Sequence, residues 1–384
     1  MPLRALARID LGAISANCAR LAALAPLCAV VKADGYGHGA IEAARAAQAG
    51  GASWLAVATA EEAAALRAAG LSGPLLVMGA LSPEELDVAL AADADVVAWH
   101  EDFVRALVAR VAAPADRSAR ATAPADPPSR AAAPAGIGVH VKLDTGMGRL
   151  GTRDADEATR VAELVAATPG LRLAGAMTHF ATADDDPEFM AEQLARFLPW
   201  ADALAGRHPG LIRHAANSAA ALANAAARLD LIRCGIAIYG MDPFQGDPAD
   251  HGLRPALELV SYLAAVKRAR PGESAGYGRR FVAERETWIG TIPIGYGDGV
   301  RRGLTNRADV LVGGRRVPLA GTVSMDNITV DLGPDDPPPV GTEAVLLGTR
   351  GGERILAEHW AAALDTINYE VTCGITARVS REYE

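Results

Sequence analysis

Cysteine is scarce in this chain, with four residues in 384, at Cys18, Cys28, Cys234 and Cys373. Their scatter supplies neither a disulfide framework nor the close pairs that hold a metal, and it fits a reducing compartment. His-Glu-x-x-His is absent as well, so no metal is expected. No stretch reaches the ~18 uninterrupted apolar residues of a membrane span, and Met1 to Asp10 lacks an apolar segment long enough for a secretory signal. The apolar fraction of 50% reflects alanine in helices and is no sign of a membrane. Concentrated positive charge is missing too. The formal net charge is -9, and the basic runs, such as Arg301-Arg302 and Arg315-Arg316, are too short for the counterion release that drives binding to a polyanion. These absences argue against nucleic-acid and membrane partners and predict a cytoplasmic protein.

What is present is an alternation. The length exceeds one ordinary core, so two domains are expected. From residue 28 to about 235, short apolar runs alternate with alanine-rich amphipathic stretches, the pattern of parallel strands joined by crossover helices. The runs fall at 28–32, 54–58, 74–78, 95–98, 137–143, 171–177, 211–214 and 229–233, and eight is the number that closes a (β/α)8 TIM-type barrel. Thr59 with Glu62, and Ser82 with Pro83 and Glu85, read as capping boxes opening two of the helices. After Gly240 the texture turns to short β-branched runs between Gly and Pro turns: Trp288 to Pro293, Val310 to Val312, Asn327 to Val330, Ala344 to Leu347. The α/β barrel is therefore assigned to residues 10–240. A mostly β domain follows at 241–384, with the extended stretch 1–9 as a possible strand of it. Residues 112–136 are rich in Pro, Ala and Arg without periodicity; they read as a disordered insertion between the fourth helix and fifth strand, with a functional lid as the alternative.

In such a barrel the carboxyl ends of the strands converge on one mouth, and the polar residues of this sequence collect there. Strand one ends at Lys32, strand five at Lys142 to Thr145, strand six at Thr178-His179, strand seven at His214 before Asn217-Ser218, and strand eight at Arg233 before Gly235-Ile236. A lysine at the buried end of a strand loses solvation, which favours its neutral, nucleophilic form and suits a Schiff base; the alternative is a lysine snorkelling into water. Turns after strands seven and eight commonly hold a phosphate, and Ser218 with the Gly235-Ile236 backbone provides the groups for it. An amine and a phosphate grip at one mouth are the requirements of pyridoxal 5'-phosphate. A competing signal, Gly146 to Gly151, matches G-x-G-x-x-G. It follows the fifth strand instead of the first, and no acidic residue ends the next strand to bind a ribose, so a dinucleotide site is not expected.

Over nearly its whole length the chain resembles alanine racemase, a pyridoxal-phosphate enzyme with an N-terminal (β/α)8 barrel and a C-terminal β domain. Val30 to Gly39 is similar to the cofactor-lysine signature, with Asp34 where many relatives carry Asn. Lys142 to Gly151, His214 to Ala220 and Arg233 to Gly240 match further barrel motifs. In the second domain the resemblance rests on Ala275 to Gly278, Gly290 to Gly299, Ser324-Met325-Asp326, where relatives often read Cys-Met-Asp, and Ile367 to Glu370. It implies that Lys32 carries the cofactor and that Tyr36, Asn217, Ser218, Gly235, Ile236 and Tyr369 bind it at the phosphate end. Arg233 faces the ring nitrogen with His179 hydrogen-bonded behind it. Arg149 contacts the cofactor's phenolic oxygen and the substrate carboxylate, assisted by Lys142, which is carbamylated in many relatives. Met325 lends its N–H to that carboxylate, Tyr296 borders the entrance, and Asp326 belongs to the catalytic motif. Tyr277 is the second catalytic base and reaches the other subunit, so a homodimer with shared sites is implied.

These residue types suit racemisation, which removes the α-proton from one face and returns a proton to the other. Lys32 and Tyr277 are the two bases. A tyrosine ordinarily ionises near pH ~10, so it needs help from a positive charge such as Arg149 or from a relay. The expected reaction interconverts L-alanine and D-alanine, the latter for peptidoglycan. The alternatives are a racemase of broader specificity, a fold-related decarboxylase, which should place a carboxylate where Arg233 stands, and a non-catalytic pyridoxal-phosphate-binding protein, which should lack the second domain.

Overall fold

The computed structural model describes residues 4–112 and 136–384. The expected insertion at 112–136 thus lies outside the described residues apart from its two ends. Among the described residues, contacts divide the chain into two compact units. One gathers the residues up to Asn17, Tyr36–Glu42 and Tyr239–Glu384; the other consists of Cys18–Gly35 and Ala43–Ile238. No helix of the described residues is long and apolar enough to cross a membrane.

The second of these is the barrel. Its parallel strands run in sequence order around one sheet: Leu27–Val30, Trp54–Val57, Leu75–Val77, Asp95–Ala98, Ile137–Lys142, Leu171–Met177 and Ile212–His214, with Ile232–Cys234 paired to the first. Backbone bonds from Asp230 N–H to the Arg213 carbonyl (3.1 Å) and from Arg233 N–H to the Ala216 carbonyl (3.0 Å) join the last two strands and close the ring. Strands covered on both faces need unbroken apolar runs, and Leu27–Val30 and Leu75–Val77 are buried at every position. Both expected capping boxes are present. Thr59 and Glu62 open the helix Ala60–Ala68, and Ser82 and Glu85 open Pro83–Ala91, each side chain taking up an otherwise orphaned N–H.

Two strand boundaries differ from the expectation by more than one residue, each for a local reason. The eighth strand begins at Ile232 and not at 229, because Leu229 takes a positive φ of 49° and Asp230 turns its carboxylate onto the Arg213 N–H (2.8 Å) and Nε (2.9 Å). The first strand stops at Val30, since Ala33, Asp34, Gly35 and Tyr36 all have φ between 52° and 62°. A left-handed turn this long with three non-glycine residues costs about 1–2 kcal/mol at each of them, and such strain persists where surrounding structure over-determines it.

The other unit is mostly β. Leu6–Ile9 lies between Leu257–Tyr262, antiparallel with Leu6 opposite Val260, and Ser380–Tyr383, parallel with Leu6 opposite Ser380. This sheet continues through Glu343–Arg350, Asp309–Val312 and Arg315–Pro318, while Glu353–Ile355 also pairs with Glu343–Arg350. A three-stranded sheet orders Ala265–Ala269, Thr287–Ile292 and Ile328–Gly333. Alternate residues of Ile328–Gly333 are buried, the signature of a strand with one covered face. A small hairpin, Ser274–Ala275 with Phe281–Val282, brackets Tyr277.

Candidate active site

At the barrel mouth stands Arg233, in the strand Ile232–Cys234 and 3% exposed. Its guanidinium donates to the carbonyls of Thr178 (2.8 Å) and Ala215 (3.1 Å), to His214 Nδ1 at 3.0 Å, and to His179 Nδ1 at 3.3 Å. Burial pulls its pKa down to about 10, which leaves it a cation at neutral pH. His179, half-buried at the end of its strand, is held well below its ordinary pKa by desolvation and then by the charges of Arg233, Lys142, Arg149 and Lys32. Those four cations come from four separate segments of the barrel unit.

Lys142 is 4% exposed, and burial, followed by repulsion from Arg233 and Arg149, lowers its pKa to about 8. Beyond it, the carboxylate of Asp144 accepts from Gly146 N–H (3.1 Å), Gly148 N–H (3.0 Å) and Arg153 Nε (3.2 Å). These N–H groups are spent inside their own turn, which is why the glycine pattern at 146–151 does not present them to a pyrophosphate. The turn instead carries Arg149, exposed, past the mouth. Across from it, Ser218 Oγ accepts from Gly235 N–H (3.1 Å) and Ala237 N–H (3.4 Å), stitching together the turns after strands seven and eight at Gly235-Ile236. Asn217 caps the helix Ser218–Ala223 through a bond from Ala220 N–H (3.0 Å), so its oxygen is committed to the fold. Lys32 stands half-buried immediately past the first strand.

Within the β unit, Tyr36 packs against Tyr239 at 5.2 Å and Tyr369 at 6.0 Å between ring centroids. The helix bearing Tyr369, Asn368–Cys373, is fixed by Asn368, whose Nδ2 donates to Glu358 Oε1 and to the Asp242 carbonyl, both at 2.8 Å. Tyr277 sits between Gly276 and Gly278, each with φ of 71°, and its carbonyl accepts from Thr322 Oγ1 at 2.7 Å. The side chain is 75% exposed. A cavity of about 340 Å³ opens beside it, lined by Gly276, Thr322, Ser324 and Asn327 among others. The Ser324–Asp326 loop lies so close on Gly295 that a Cβ there would fall 2.2 Å from the Ser324 carbonyl oxygen. Tyr296 N–H and Gly297 N–H complete the join at 2.9 Å each, to the carbonyls of Ser324 and Met325. Ser324 Oγ donates to the Asn327 carbonyl (2.7 Å), a bond a thiol would make more weakly. Asp326 accepts from Arg378 Nη2 (2.7 Å), and Met325 and Tyr296 are exposed.

Comparison with known proteins gives the family. Residues 9–243 match the family model "Alanine racemase, N-terminal domain" and residues 256–383 match "Alanine racemase, C-terminal domain". The chain belongs to the alanine racemase family. Among its relatives, the alanine racemase of Thermobifida fusca is 44% identical, with 98% of this chain and 97% of that protein covered. The alanine racemase of Geobacillus stearothermophilus is 41% identical over 98% of this chain and 92% of the relative. Of solved structures, alanine racemase from Streptomyces lavendulae matches with a TM-score of 0.89 at 37% identity, covering 100% of this chain and 98% of that one.

As an alanine racemase, the chain is an isomerase that interconverts L-alanine and D-alanine and depends on pyridoxal 5'-phosphate. The barrel residues fit that cofactor: a primary amine at Lys32 for its aldehyde, the Ser218 hydroxyl, fixed against the Gly235 turn, for its phosphate, and a strongly positive mouth for its anionic charge. Among the described residues, no cluster of three or more His, Cys, Asp or Glu side chains is arranged to hold a metal ion. The racemase resemblance put His179 behind Arg233; the structure brings His214 closer and deeper, a residue absent from the expected cofactor set.

Proposed function

We propose that this racemase works with two bases, Lys32 and Tyr277, that meet only between the subunits of a cytoplasmic homodimer, and that its D-alanine supplies peptidoglycan. The observation that carries this reading is Tyr277: a large aromatic side chain, 75% exposed, on a rigid Gly-Tyr-Gly turn anchored by Thr322. An aromatic ring held out in water with its backbone fixed is suited to entering another molecule's pocket.

Bound pyridoxal phosphate supplies the electron withdrawal that acidifies the α-carbon of alanine. The chain does the rest. The Lys32 amine takes or returns the proton on one face, and the Tyr277 phenol does so on the other. Arg149 holds the substrate carboxylate, helped by the Met325 N–H, and Tyr296 restricts the entrance. Asp326 acts through its pair with Arg378, which braces the Met325 loop. Tyr36, Asn217, Ser218, Gly235, Ile236 and Tyr369 would be the residues to secure the phosphate, and His179 would border the ring. Arg233, permanently charged, would stand at the ring nitrogen and oppose a proton there, so that it would moderate the electron withdrawal and suppress side reactions such as transamination.

Mixing two inactive variants tests the sharing of sites. Dimers formed from Lys32→Ala and Tyr277→Phe subunits, unfolded together and refolded, contain one intact site in each heterodimer, so about a quarter of wild-type activity should return on random pairing. No recovery from a mixture that demonstrably exchanges subunits places both bases in one chain and sinks the proposal.

Lys142 receives a carbamate in this reading. With a pKa near 8 it presents a neutral amine in useful amount close to neutral pH; the nitrogen bonds to carbon dioxide, releases a proton, and turns an unfavourable buried cation into an anion facing Arg149. Carbon-13 NMR of protein kept in labelled bicarbonate should show a carbamate signal that grows as pH rises through about 8 and is missing from Lys142→Ala. The same signal in Lys142→Ala would assign it elsewhere.

A further inference from the structure

Behind Arg233 a line of polar side chains runs down through the barrel interior. His214 Nδ1 meets the guanidinium at 3.0 Å; His214 Nε2 meets His140 Nδ1 at 2.8 Å; and His140 Nε2 meets Asp95 Oδ2 at 3.3 Å. Asp95, at the start of its strand, is also bound by Arg172 Nη2 at 3.1 Å. Both histidines are fully buried, and Trp54 lies edge-on to His140 at 5.6 Å. Arg233, His214, His140 and Asp95 stand on four different barrel strands, so the line crosses the core instead of following one element.

The proton positions in this line have only one arrangement. A guanidinium has donors and no acceptor, so His214 Nδ1 must be the accepting nitrogen and its proton must sit on Nε2. That proton is donated to His140 Nδ1, which leaves the His140 proton on Nε2, directed at a carboxylate that only accepts. Every donor therefore points from the mouth toward Asp95. An added proton on either ring would set donor against donor inside the core. Burial works against the charge of Asp95, but the bond from His140 and the pairing with Arg172 outweigh it and hold its pKa below the ordinary carboxylate value.

The barrel wall is cut away for this line. A Cβ on Gly175 would lie 2.2 Å from His140 Nδ1 and 3.0 Å from His214 Nε2, and one on Gly138 would lie 2.1 Å from Asp95 Oδ2. Both glycines are inside strands and neither has a positive φ, so space and not backbone conformation demands them. A strand interior gives up stability to carry glycine, and here two strands do so at the places where the polar line passes.

We infer that Asp95, His140 and His214 form a buried positioning relay that fixes the direction of the Arg233 guanidinium, so that residues at the far end of the barrel core govern how Arg233 meets the cofactor ring. None of Asp95, His140 and Arg172 touches the reacting atoms; they act through Arg233. The inference rests on the racemase reading of the mouth but not on which subunit supplies Tyr277.

Nitrogen-15 NMR of the histidine side chains in the wild-type holoenzyme reads the relay without any variant: both His140 and His214 should show a single tautomer, protonated on Nε2. A His214 proton on Nδ1 overturns the inference even if racemisation by two bases stands. His140→Phe interrupts the line, and kcat should fall roughly ten- to hundredfold, the cost of a lost buried hydrogen bond, while KM for alanine changes less than about twofold. The absorption band of the bound cofactor should shift as the ring nitrogen's neighbour loosens. Asp95→Asn keeps an acceptor oxygen for His140 and guards against a variant that fails to fold; it should preserve the His214 tautomer and lower kcat by a smaller factor. An unchanged kcat and cofactor spectrum in folded Asp95→Asn and His140→Phe would falsify the relay.

Discussion

Lys32→Ala should lose at least about a thousandfold in L- to D-alanine conversion, because one side chain serves as both the cofactor's tether and a proton-transfer group. The site predicts that this loss is chemical and not a failure to fold. Lys32 is half-buried past the end of the strand Leu27–Val30, whose ladder to its two neighbouring strands, continued by Val31 N–H to the Ala56 carbonyl at 2.9 Å, is made by backbone groups. A thermal melt close to wild type is therefore expected beside the lost activity. A second signature belongs to the tether. Borohydride should fix the cofactor covalently to the wild-type chain and leave it removable from Lys32→Ala. Wild-type turnover in the variant, or covalent fixation at an unchanged level, places the cofactor on another amine and removes the basis of the assignment.

Much of the fold was legible because parallel strands and capping boxes have local signatures. Runs such as Leu27–Val30 can only be covered on both faces, and Thr59 with Glu62 or Ser82 with Glu85 closes a box within four residues. The mouth was legible for a related reason: once strands are placed, their carboxyl ends are known, and Lys32, Lys142, His179 and Arg233 follow from position. Features that depend on tertiary pairing were not readable in this way. The eighth strand starts late because Asp230 turns to Arg213, a partner 17 residues away. The left-handed turn at Ala33 to Tyr36 uses alanine and aspartate where propensity favours glycine. His214 and its continuation to His140 join residues 74 positions apart. A signal for the latter did exist: His140 interrupts the otherwise apolar run Ile137 to Val141 at a buried position, and a buried polar residue requires a partner. Gly175 lies opposite His140 in the strand register, which marks where the room was made.

Tyr277→Phe should separate proton exchange from racemisation. Removing the phenolic oxygen deletes the acid-base group on one face only, so the Lys32 face should still exchange the α-proton of one enantiomer with solvent deuterium, while conversion to the other enantiomer falls about 100- to 10,000-fold. The geometry makes this substitution clean. Tyr277 is tied down through its carbonyl, which accepts from Thr322 Oγ1 at 2.7 Å, and by the hairpin Ser274–Ala275 with Phe281–Val282 on either side, none of which involves the hydroxyl. Since the ring is 75% exposed in the single chain, its loss of one oxygen should leave the folding of that chain unchanged. Deuterium incorporation followed by proton NMR, started separately from L- and D-alanine, reads both faces in one experiment. Equal loss of exchange from both enantiomers would mean that Tyr277 shapes the pocket without serving one face, and undiminished racemisation would mean that another group supplies the second proton. Exchange that survives from one enantiomer alone assigns the remaining face to Lys32, because the only group removed is the one opposite it.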